Sequence, residues 1–139
     1  VIDKWNNTIF DEYILITYYK PIDLNTSDLE VMFSTSGINM FHISAQIDRG
    51  YSENTRYYSM FNYNNTDTIH KLIDIIEADM NESIEATGWI ENSDLFQVGD
   101  SLNNNVYPDY TWYNSTDLSF IITVQSIEEN YAIIQIETN

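Results

Sequence analysis

Cysteine is missing altogether, which rules out disulfides, thiolate metal sites and a cysteine nucleophile together. Bases are nearly missing as well. Five Lys and Arg stand against twenty-two Asp and Glu in 139 residues, a formal net charge of -17. Charged residues still make up only 19% of the chain, so the acidity comes from absent bases and not from surplus carboxylates. A nucleic-acid ligand needs the opposite sign of charge, and an anionic membrane surface repels this one; neither is an expected partner. No apolar run approaches the ~18 residues of a membrane-spanning helix.

Other shortages narrow the chemistry. The two histidines, His42 and His70, form no close pair, which argues against zinc or copper. The four glycines, Gly37, Gly50, Gly88 and Gly99, are too scattered to build a phosphate cradle. No Gly-x-Ser-x-Gly elbow marks a hydrolase nucleophile. Carboxylates recur so regularly that no pair is singled out for glycosidase work. Oxygen-rich groups stand at Asp23, Asn25 and Asp28 and again at Asp109, Asn114 and Asp117, but neither has the Asp-x-Asp-x-Asp-Gly spacing of a calcium loop, and each reads as a solvated loop. No metal and no cofactor is assigned.

In place of bases the chain carries Asn, Ser, Thr and Tyr, a neutral hydroxyl- and amide-rich surface that suits an extracytoplasmic location. Asn-x-Ser/Thr sequons occur at Asn6, Asn25, Asn64, Asn81 and Asn114. Random placement of the Asn, Ser and Thr present would give about three, so the five are a mild excess and candidate glycosylation sites. The chain opens Val-Ile-Asp without an initiator Met. That is expected of a piece cut from a longer precursor with an upstream signal or membrane anchor.

Hydrophobic period assigns the elements. Ile69, Leu72, Ile73, Ile76 and Met80 fall at i, i+3, i+4, i+7 and i+11, which predicts an amphipathic helix over about residues 66–82, capped by Asn65 or Thr66. Strand-like runs cover 9–20, 29–34, 40–47, 56–63, 84–91 and 95–98, and the third and fourth of these are expected to pair. A final hairpin joins 118–124 to 131–137, whose two-faced apolar pattern predicts an interior strand. The expected fold is mainly β: one domain, residues 1–139, forming a single antiparallel β-sandwich or rolled sheet of about eight strands with that one helix.

One segment stands outside the alternating pattern. Tyr107, Tyr110, Trp112 and Tyr113 put four large aromatics into seven residues of a polar loop. Two roles are open: a plug for the end of the core, or a platform for a sugar face or protein hot spot. These four are the candidate ligand-binding residues.

The function expected from all this is a non-catalytic extracytoplasmic domain, not an enzyme, acting in binding, surface assembly or adhesion toward a protein or glycan at a cell surface. The alternative is an acidic inhibitor or immunity-type protein that neutralises a basic partner, its charge steering association over long range. A carbohydrate-active hydrolase ranks third.

Overall fold

The computed structural model describes residues 11–22, 33–52, 55–61, 65, 70–81, 83–108 and 110–138, with the backbone alone described for 47–52, 55–61, Ser83 and Glu85. In chain order the elements are β1 (Glu12–Tyr19), β2 (Gly37–Ser44), β3 (Ile47–Ser52), β4 (Thr55–Phe61), β5 (Ile73–Ile76), α1 (Ser83–Thr87), a 3-10 turn (Asn92–Asp94), β6 (Ser101–Leu102), β7 (Phe120–Ile127) and β8 (Ala132–Thr138). They form a three-stranded sheet ordered β1-β2-β5, a β3-β4 pair, and a three-stranded sheet ordered β6-β7-β8. The chain divides into two compact units, Val1–Leu15 with Phe41–Ile75, and Ile16–Met40 with Ile76–Asn139.

This architecture corrects the expected fold. Two small three-stranded sheets replace the single eight-stranded sandwich, and no helix spans residues 66–82. Residues 66–69 lie outside the described set; Ile73–Ile76 is a strand. The local reason is chemical. The Asn65 side chain makes a two-point contact with Ile73, accepting its N–H at 3.1 Å and donating to its carbonyl at 2.8 Å. That contact offers the backbone an alternative to the helical ladder, and the β-branched Ile73, Ile75 and Ile76 favour an extended chain. Helix forms further on instead, at Ser83–Thr87, where alternation had predicted a strand. Gly88, at φ 76°, ends it by donating its N–H to the Ile84 carbonyl at 2.8 Å, a left-handed stop that only glycine adopts cheaply. No helix among the described residues is long and apolar enough to cross a membrane.

In the first unit the Ala45 N–H donates to the Asp11 carbonyl and the Ser44 N–H to the Leu72 carbonyl, both at 2.9 Å. β4 pairs antiparallel with β3, in a register that shifts between Ile47 and Arg49, and not with the 40–47 run as expected. Buried here are Ile43 and Ala45, and with them the polar Asp11, Glu12, His42 and Ser44. The His42 ring and the Glu12 carboxylate face each other at 2.7 Å.

The second unit holds the larger apolar core. Phe33, Ile38, Met40, Leu95, Phe96, Leu102, Leu118, Ile122 and Val124 are all at or near full burial. Ile38 and Phe96 exchange backbone hydrogen bonds at 2.9 and 3.0 Å across an isolated antiparallel bridge. Beside that bridge Gly37 is packed tight: a Cβ there would stand 2.7 Å from both Leu95 Cβ and Gln97 Nε2. Gly37→Ala should therefore cost about 1–3 kcal/mol through overpacking, read as a lower urea midpoint at constant slope. An unchanged midpoint would show that the Leu95 segment yields freely.

Candidate functional site

Two features of the second unit combine chemistry with an unusual environment. The first is a carboxylate cluster. Glu77 follows β5 directly, Asp79 lies in the turn after it, and Asp94 closes the 3-10 turn. Backbone bonds join these segments: the Ala78 N–H donates to the Asp94 carbonyl at 3.1 Å, and the Met80 N–H to the Glu77 carbonyl at 3.2 Å, with Met80 in the left-handed region at φ 60°. Tyr107 latches the same turn by donating its hydroxyl to the Ala78 carbonyl at 2.9 Å. Its phenol is pushed up to about 12 by burial and by the charges of Asp100 and Asp79, so it stays a donor at neutral pH.

As a result one carboxylate oxygen from each of Glu77, Asp79 and Asp94 lies within 4.8 Å of the others. Glu77 and Asp94 are buried and Asp79 is half-buried. Glu77 Oε1 accepts the Ile84 N–H at 3.0 Å, serving an open donor at the start of α1. Asp94 Oδ2 accepts the Glu91 N–H at 2.7 Å. Asp94 Oδ1 is buried and has no hydrogen-bond partner among the described residues. Burial raises the Asp94 carboxyl above its ordinary value; the Glu91 bond opposes that rise, and the charges of Glu77, Asp79 and Glu91 add to it.

The second feature is the β7-β8 hairpin. β7 and β8 pair antiparallel, with Val124 opposite Ile134 and Ile122 opposite Ile136, and a bulge between Val124 and Ser126. Opposite residues share a face, so Ile134 and Ile136 continue the face on which Ile122 and Val124 are buried. Yet Ile136 is 62% exposed, and on the other face Ile133 is 51% exposed. β8 stands at the end of its sheet order. This corrects the interior position expected of the return strand: among the described residues β8 has no strand neighbour beyond β7.

The aromatic loop is split by its surroundings. Tyr107 is buried against Phe96, ring centroids 6.0 Å apart, and Trp112 is buried edge-on to Phe120 at 5.9 Å. Tyr110 and Tyr113 are half-buried. Asn104 straps the loop, donating from its amide to the Tyr110 carbonyl and accepting the Leu118 N–H, both at 2.9 Å. Of the sequon asparagines, Asn81 and Asn114 are exposed, while Asn6, Asn25 and Asn64 lie outside the described residues. So do Asp23, Asn25, Asp28 and Asp109 of the two oxygen-rich loops; Asp117 is exposed and Asn114 turns inward on its own sequon, its amide oxygen accepting from Thr116 N–H and Oγ1.

The carboxylate cluster was not found by reading the chain. Glu77 fell on the polar side of the expected helix, apart from Asp79, and Asp94 is brought to them by the tertiary Ala78–Asp94 bond. Known protein families, curated proteins and solved structures offer no match to this chain.

Proposed function

We propose that the protein is a non-catalytic, extracytoplasmic binding domain that takes up an extended segment of a partner protein along β8. The exposed Ile136 on a core-facing side of an edge strand carries this reading. Sheet edges are normally blunted by Lys, Pro or a bulge on the strand itself; β8, Ala-Ile-Ile-Gln-Ile-Glu-Thr, has neither Lys nor Pro, and the bulge lies on β7. Strand addition would satisfy the outward backbone groups and cover Ile133 or Ile136 by alternate side chains. Exposed Glu128, Glu129 and Glu137 along the hairpin, within a chain of net charge -17, favour a partner segment bearing Lys or Arg. The hydroxyl- and amide-rich composition and the exposed sequons at Asn81 and Asn114 support the extracytoplasmic location.

The test pairs the wild-type domain with Ile136→Lys as bait against an envelope fraction and a lysate of the source cell, at low and high salt. Retention of an envelope protein by the wild type, lost in the variant while the unfolding temperature holds, is the expected result. Equal retention by both removes β8 from the interface. A single basic lysate protein, released by salt from both baits, would favour the acidic-inhibitor reading, which the net charge supports.

A further inference from the structure

We propose that Glu77, Asp79 and Asp94 form a binding site for a divalent cation that prefers oxygen ligands, calcium ahead of magnesium. The inference goes beyond the β8 reading and stands or falls separately from it. Acidic clusters are common on an acidic protein and mean little alone. Here the distinguishing observation is Asp94: it is fully buried, and its Oδ1 lacks any hydrogen-bond partner among the described residues. Burying a carboxylate oxygen without a donor is costly, and such groups are normally paired, hydrogen-bonded or coordinated to a metal. The described charges that act on Asp94 are the carboxylates of Glu77, Asp79 and Glu91, all of one sign. A cation answers both defects with one ion.

The donor set selects the kind of ion. Three carboxylates with no nitrogen or sulfur suit calcium, magnesium or manganese and not zinc or copper. Calcium accepts several carboxylates in a flexible shell, whereas magnesium demands near-ideal octahedral geometry and usually keeps several waters around one or two carboxylates. Three carboxylates with oxygens within 4.8 Å of one another therefore favour calcium. Existing bonds leave lone pairs for an ion. A carboxylate offers about four lone-pair positions; the Glu91 N–H takes one on Asp94, the Ile84 N–H one on Glu77, and Asn81 donates its N–H to Asp79 Oδ1 at 3.1 Å and its side-chain amide to Asp79 Oδ2 at 3.3 Å. Three carboxylates supply three to six of the six to eight ligands calcium takes, and water completes the shell. Bound there, the ion would fasten the 77–80 turn to the 3-10 turn and, through Glu77, to the first turn of α1.

The whole protein, stripped with EDTA and held in 150 mM NaCl, is titrated calorimetrically with CaCl2 and separately with MgCl2, with thermal unfolding followed in parallel. The expected result is one calcium per chain, with magnesium at least tenfold weaker. The unfolding temperature should rise by roughly 5–10 °C when free calcium exceeds Kd about a hundredfold. Asp94→Asn, which keeps an acceptor for the Glu91 N–H, should abolish both signals. Asp79→Asn, which keeps an acceptor for the Asn81 N–H, should weaken binding at least tenfold, while Glu137→Gln on β8 should leave it intact. Saturable heat missing from the wild type, or an equal temperature rise in wild type, Asp94→Asn and Asp79→Asn, would mean diffuse screening of the -17 charge only and would overturn the site.

Discussion

Glu12→Ala should destabilise the protein by about 3 kcal/mol, where the range for a buried charge-assisted hydrogen bond meets that for a broken buried ion pair. The His42 side chain is 1% exposed and that of Glu12 6%, with Nε2 and Oε1 2.7 Å apart. The imidazole loses a partner at 2.7 Å in a buried place, where leaving a polar ring atom unpaired is costly. The expected readout is a fall of about 1.5 M in the urea midpoint at unchanged slope. The double variant Glu12→Ala with His42→Phe should recover part of the loss, because the imidazole is then no longer buried opposite a missing acceptor. A midpoint for Glu12→Ala within experimental error of wild type would show that the pair adds nothing to the fold.

Phe96→Ala should be costlier still, about 3–5 kcal/mol for emptying a fully buried aromatic site. Phe96 is 0% exposed, its ring backs the Tyr107 ring, and its backbone forms the bridge to Ile38. The substitution keeps the bridge and removes the ring, so the loss reports the packing of Phe96 and what leans on it. Tyr107 loses its support, and with it the latch on the Ala78 carbonyl slackens. Thermal unfolding should show a drop of more than 10 °C, with Phe96→Leu falling between the variant and wild type. A drop under about 3 °C would mean that the surroundings collapse into the space or that the ring is not part of the core.

The sequence was most legible where one face of a strand meets the core. Leu118, Phe120, Ile122 and Val124 alternate cleanly, and the hairpin to 131–137 followed from them. It misled where period alone had to choose. Ile69, Leu72, Ile73, Ile76 and Met80 satisfy a helical spacing, but a four-residue strand among them satisfies the same letters. The choice was made by Asn65 gripping Ile73 and by the Leu72 carbonyl accepting from Ser44, neither visible in a hydrophobicity pattern. β8 misled for a different reason. Apolar residues on both faces normally mean neighbours on both sides, and Ile133 and Ile136 keep that composition, exposed, on a strand that is last in its sheet among the described residues. Burial of Tyr107 and Trp112 needed Phe96 and Phe120, partners that only the folded chain supplies.

The hairpin also sets an order of events. Gln125 and Gln135, bonded side chain to side chain, are 10 residues apart, whereas the bond from the Tyr18 hydroxyl to the Glu128 carbonyl closes 110. The longer loop costs about 2 kcal/mol more in closure entropy, so β7 and β8 can meet on the microsecond scale while β1 must search for its place beside their turn. β8 is therefore formed early, before the elements that close over longer loops are in place. Strand addition by another unfinished copy competes with folding during that interval, and the excess of negative charge slows such encounters between like chains.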